Sequence, residues 1–225
     1  MKKAFIALFL LIFIYNYSQS SAKFWLTPDG KKIKNKNMGE VSKQFPDFSM
    51  GYRKTKDSGL VYQYNVPTYE KSKVNYDFFK NQILNISNQK FSDSTIYVIY
   101  FHFIDDNCSS SFSNNMTKER IKDHKFYSDF YKSNVETIKN VNYLILFENG
   151  ITLKNDINSK DEYYFNDINN FFRTNIFKKP TLCGSFCIIK PNGETLIRNG
   201  EYRVDWMVEH LKPEIWNKIF ESNSE

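Results

Sequence analysis

The sequence predicts an α/β fold: a mixed sheet with helices on both faces, preceded by a β-rich N-terminal extension. Three observations predict it. Thr95 to Ile104 (TIYVIYFHFI) is apolar on both alternating faces, the pattern of a central strand covered on each side. A second apolar run, Val141 to Phe147 (VNYLILF), follows a stretch with helical spacing, and two strands joined by a helical crossover lie parallel. Ser185 to Ile189 and Glu194 to Arg198 flank Pro191-Asn192-Gly193, a turn sequence that closes an antiparallel hairpin. Parallel and antiparallel pairs in one sheet make it mixed.

Residues 1 to 22 have the form of a secretory signal peptide. Lys2 and Lys3 precede an apolar run from Ala4 to Tyr15, and Ser20-Ser21-Ala22 supplies small residues for cleavage. The run falls short of the roughly 20 residues that cross a bilayer; an uncleaved anchor is the alternative. Cleavage implies export to the periplasm or the medium, with no stable membrane insertion afterwards. The mature chain then divides into an N-terminal extension, 23–94, and a domain, 95–225.

Within the extension, Lys23 to Ile33 reads as two short strands around Pro28-Asp29-Gly30. Residues 34–70 are polar and weakly patterned, with an extended pair between Gly51 and Tyr64 that turns at Ser58-Gly59 and stops at Pro67. Asn75 to Ile86 is a helix with Phe78, Phe79, Ile83 and Ile86 on one face. After the central strand, Asp105-Asp106-Asn107 breaks the chain and Cys108 follows. That order places one thiol at the C-terminal edge of the sheet and the N-terminal end of a helix. Thr117 caps a helix reaching Ile138, with Ile121, Phe126, Phe130, Val135 and Ile138 as its stripe. Asn149-Gly150 is a turn. Tyr164, Ile168, Phe171, Phe172 and Ile176 predict a helix over Asp161 to Phe177. Gly200 precedes a last helix, Val204 to Phe220, bent or restarted at Pro213, with Trp206, Met207, Leu211, Ile215 and Ile219 inward.

With 21 Phe and 15 Tyr the core is expected to be aromatic, with Ile99 and Phe103 in it. The formal charge of +6 falls to +4 once Lys2 and Lys3 are removed, and it is spread along the chain. No basic cluster interleaves with stacking residues, so a nucleic-acid partner is not expected. The cysteines are Cys108, Cys183 and Cys187, an odd number that allows at most one internal disulfide. Cys183 and Cys187 in one strand would lie roughly 13 Å apart, beyond the ~7 Å limit for a disulfide. His102 reads as a core histidine, and His124 and His210, each alone on a helix, as surface residues. Asp105-Asp106 reads as a solvated turn rather than a cation site. There is no metal-ligand spacing, phosphate loop or nucleophile elbow, so no cofactor or metal is expected.

Residues 95 to 212 resemble the thioredoxin-like superfamily, especially its extracytoplasmic bacterial redoxins. Two motifs carry the likeness. Phe103 ends a strand and is followed five positions on by Cys108, as an aromatic strand end precedes the family's nucleophilic cysteine. SFCIIKPNGETLIRNGEYRVDWMVEHL matches the family's later hairpin, glycine and final helix. The resemblance implies that Cys108 is the nucleophile, its thiolate favoured by a helix dipole and disfavoured by Asp105 and Asp106. Ser111 stands where the family has its second cysteine and would serve as a nearby hydrogen-bond donor. The family's cis-proline position falls on Cys183 or Gly184, or on Pro180 if the loop carries an insertion. The resemblance also implies that the loop before the third strand lies against the Cys108 segment. Cys108–Cys183 is then the favoured pair, structural or redox-active, and Cys187 a buried strand thiol. Two functions follow as expectations. One is thiol–disulfide exchange, peroxide chemistry or redox sensing through Cys108, with a protein thiol or disulfide as partner. The other is a non-enzymatic binding or scaffold module in which Cys108–Cys183 is a staple.

Overall fold

The computed structural model describes residues 23–33, 38–55, 59–106, 108 and 113–221. Its main sheet has six strands, in the order β4 (Tyr69–Lys73), β11 (Glu194–Asn199), β10 (Ser185–Ile189), β5 (Ile96–His102), β7 (Val141–Glu148) and β9 (Tyr164–Asp167). β5 pairs parallel with β7 and β7 with β9; β10 pairs antiparallel with both β5 and β11, and β11 with β4. The sheet is therefore mixed, and β5 is interior to it.

The alternation along β5 explains why it is apolar on both faces. Tyr97 meets Phe79 of helix α2 (Tyr76–Ser87) at 5.3 Å between ring centroids, and Phe101 stacks on Phe177 at 4.6 Å. His102, on the opposite face, meets His124 of helix α3 (Lys118–Glu136) at 5.6 Å. Helices thus cover both faces. Ile99 and Phe103 are buried, as the sequence predicts. Asn75 and Thr117 cap their helices, accepting the backbone N–H of Phe78 and Arg120.

A second sheet of three strands, β1 (Lys23–Leu26), β3 (Gly59–Pro67) and β2 (Phe48–Thr55), is built from the N-terminal segment. β1 runs parallel to β3, and β2 antiparallel to it. Residues 56–58, with Ser58 of the expected Ser58-Gly59 turn, lie outside the described residues, and Gly59 begins β3. A short parallel pair joins β6 (Asn115–Met116) to β8 (Thr152–Leu153). The N-terminal segment is not confined to its own sheet: β4 is the edge strand of the main sheet, and Phe79 and Ile83 of α2 sit in its core.

Several expectations change. Asp161 to Phe177 is not one helix: β9 comes first, and helix α4 (Phe171–Asn175) follows. Asp167 divides the two, accepting the N–H groups of Phe172 and Arg173 at 3.2 and 2.8 Å. The apolar spacing is shared between a strand and a short helix. Residues 34–70 hold helix α1 (Met38–Gln44), which their polar pattern concealed. Lys23 to Ile33 forms one strand and a lone bridge, Leu26 to Lys32. On α3 the buried face is Ile121, Ser128 and Val135, while Phe126 and Phe130 are 77% and 64% exposed. The last helix restarts at Pro213, giving α5 (Val204–Glu209) and α6 (Pro213–Glu221). Trp206 is exposed, and Met207 and Trp216 carry that contact. Among the described residues no helix is long and apolar enough to cross a membrane.

Candidate functional site

The site lies where β5 runs out of the sheet. Phe103 is the last core residue; Ile104 and Asp105 turn the chain, Asp105 in the left-handed region at φ +59°. Ile104 donates its N–H to Glu148 Oε2 at 2.9 Å and accepts the Tyr52 hydroxyl on its carbonyl at 2.6 Å. Asp105 exchanges two hydrogen bonds with the Asn114 amide, of 2.9 and 2.8 Å.

The next residue, Asp106, is buried and joins two loops. Its carboxylate accepts the backbone N–H of Cys108 at 3.0 Å, of Cys183 at 3.2 Å and of Gly184 at 2.9 Å. Cys108 and Cys183 are bonded as a disulfide, their Cα atoms 4.8 Å apart. Cys183 and Gly184 are consecutive left-handed residues, at φ +65° and +71°, so their successive N–H groups converge on one anion. A side chain is impossible at Gly184: a Cβ there would lie 2.7 Å from the Phe101 carbonyl oxygen. The Tyr100 hydroxyl donates to the Cys183 carbonyl at 3.0 Å.

The second sheet holds the same loop from outside. Leu182 donates to the Met50 carbonyl at 2.8 Å, and Tyr52 donates to the Pro180 carbonyl at 3.3 Å. Between that sheet and Cys183 lies a cleft of about 320 Å³ bordered by Ser49, Met50, Tyr64, Arg198 and Glu201. Cys108 is solvent-exposed, whereas Cys183 is buried.

Burial pushes the Asp106 carboxyl up to about 6, against the three N–H donors that hold it down. It therefore carries its charge at neutral pH, beside the disulfide. Burial also pushes the Cys187 thiol up, which makes it a poor nucleophile. Burial and the neighbouring His124 push His102 well down, and burial brings His124 to about 4, so both are neutral at pH 7.

Cys108 and Cys183 are thus brought together, and Cys187 is the buried free thiol. Ser111 lies outside the described residues. The helix start expected at Cys108 falls on residues 109–112, which lie outside the described residues. Two expectations fail. His124 and His210 are not surface residues: His124 bonds the Tyr164 hydroxyl, and His210 Nε2 lies 3.0 Å from the Tyr69 hydroxyl in a buried position. No peptide bond among the described residues is cis, at Pro180 or elsewhere. Asp105-Asp106 is not a solvated turn at its second residue, since Asp106 faces inward. Its only trace in the sequence is an acid two places before a cysteine. Among the described residues no group of three His, Cys, Asp or Glu side chains could hold a metal ion. No family model, curated protein or solved structure matches this chain.

Proposed function

We propose that this is an exported protein on a thioredoxin-like framework that exchanges its Cys108–Cys183 disulfide with the thiols of a protein partner. The asymmetry of the bond carries the reading: one sulfur belongs to an exposed residue, the other to a buried one. An incoming thiolate attacks Cys108 Sγ and forms a mixed disulfide with it. The Cys108–Cys183 bond breaks, and its electron pair leaves on Cys183 Sγ, which takes a proton. A second thiol of the partner then attacks the mixed disulfide. The partner leaves oxidised, and both cysteines are reduced. The disulfide and the signal-like N-terminus both fit an oxidising compartment.

Quench-and-map alkylation after incubation with reduced glutathione tests this. The expected result is reduction of the bond in the folded protein. With oxidised glutathione as the disulfide, Cys183→Ser should expose a Cys108 that forms a mixed disulfide, releasing one reduced glutathione, at least tenfold faster than Cys183 does in Cys108→Ser. Equal rates, or a bond that opens only on unfolding, would sink the proposal. The second outcome is what a structural staple predicts. The favouring observation for that alternative is the Asp106 clamp, which ties both cysteine loops through their backbones.

A further inference from the structure

The face of the main sheet under α3 is not fully packed. A recess of about 180 Å³ opens there between β5, β7 and β10 below, α3 above, and the chain entering α5 at one side. Protein interiors leave few voids larger than a water molecule. An apolar cavity of roughly 150 Å³ is enough to hold benzene. The walls are aromatic: Tyr100, Tyr143 and Phe186 from the sheet, Tyr131 from α3, and Tyr202 from the connection. Tyr100 and Phe186 are stacked, 4.3 Å between centroids and 9° from parallel, so they present a flat floor.

Four of the polar side chains around the recess, Tyr100, His124, Ser128 and Arg203, are engaged elsewhere. The Tyr100 hydroxyl donates to the Cys183 carbonyl, 3.0 Å away. His124 and Ser128 bond the Tyr164 hydroxyl. Arg203, at the mouth, is closed by Asp205 through bonds of 3.0 and 2.6 Å and lies over the Trp206 ring. Arg203 is the one Lys or Arg among the described lining residues, and its charge is already neutralised by Asp205, which disfavours a charged guest. What remains is ring surface, which binds planar apolar molecules by stacking and edge contact.

We infer that this recess is a binding site for a small, uncharged aromatic molecule of one ring or one fused pair, of the size of a phenol or an indole. The site is separate from the cleft beside Cys183, and Tyr100 is the side chain that borders it and also holds the disulfide loop.

The test is a titration of the isotopically labelled chain with p-cresol and with indole, followed by NMR, with choline and benzoate run alongside. Saturable one-to-one shifts centred on Ile145 and Phe186 are expected from p-cresol or indole. Filling the recess with Tyr131→Trp, or separately with Tyr202→Trp, should weaken binding at least tenfold in whichever variant keeps its fold. Phe126→Ala, on the outer face of α3, should leave it unchanged. No saturable shift would overturn the inference. So would shifts centred on the Cys183 cleft, tighter binding of choline (which would mark an aromatic cage for cations) or tighter binding of benzoate.

Discussion

The chain of β5 and the turn that follows it lie in two different environments. From Ile96 to His102 the strand is held from both faces by rings and aliphatic chains, and its neighbours are chosen by register. Beyond β5, at Ile104, Asp105, Asp106 and Cys108, the chain is held by directed bonds: Tyr52 on Ile104, Asn114 on Asp105, three N–H groups on Asp106, and a disulfide on Cys108. Packing is non-directional and roughly proportional to buried area, so many sequences satisfy it. A carboxylate that collects N–H groups from two loops must sit at one position. The sheet interior is therefore generic, and its C-terminal edge is where this chain is particular.

The largest effect should come from breaking the generic side. Phe101 is fully buried against Phe177 and Phe103. Phe101→Ala should cost about 4 kcal/mol in urea unfolding, from lost transfer energy plus a cavity. A cost under about 1 kcal/mol would mean that the centre of the sheet does not carry the fold. The next largest belongs to the edge. The disulfide spans 75 residues, and the chain-entropy model gives about 4 kcal/mol for such a loop. The left-handed backbone at Cys183 returns about 1 kcal/mol of that as strain. Cys108→Ser should therefore lower stability by about 3 kcal/mol in chemical denaturation, with far-UV circular dichroism unchanged. Loss of the dichroism spectrum would show that the edge, not the centre, holds the sheet together.

This division also decides what could be read from sequence. The strands β5, β7, β10 and β11, the hairpin turn and the helices α2 and α3 follow from periodicity and caps, because burial repeats with the element. β9 and α4 were hidden because Tyr164 to Ile176 satisfies a helical spacing while Asp167 turns the chain in its middle. α1 and β4 are polar, with little periodicity to betray them. At the site the cysteine pairing was reachable through the family resemblance. The role of Asp106 was not, since an inward carboxylate and a solvated one are the same letter. The burial of His124 and His210 is hidden for the same reason: a lone histidine on a helix does not announce its tyrosine partner on another element.

The third test separates the two environments by pH. Asp106 binds a proton more tightly folded than unfolded, about 6 against the ordinary 3.8. Its protonated form therefore stabilises the fold below pH 4, and that contribution is lost as pH rises to about 6. The size should be about 2 kcal/mol across that window. Asp106→Asn should remove this slope, so the difference between the two proteins in urea midpoint at pH 4, 5, 6 and 7 isolates it from the exposed carboxylates. A difference that stays constant with pH would place Asp106 in water rather than between the two loops.

The smallest effect is the most specific to the edge. Tyr100 is part of the packed strand through its ring and part of the disulfide loop through its hydroxyl, which donates to the Cys183 carbonyl. Tyr100→Phe keeps the ring and deletes one bond, so stability should fall by about 1 kcal/mol. The informative quantity is how that cost changes when the disulfide is absent. If the hydroxyl serves a loop fixed by the disulfide, the same substitution in a Cys108→Ser background should cost less, because a loosened carbonyl can turn to water instead. If the cost is the same with and without the bond, the hydroxyl belongs energetically to the sheet. The boundary between the two environments would then lie beyond Cys183 rather than at it. A double-mutant cycle by urea denaturation measures that difference directly.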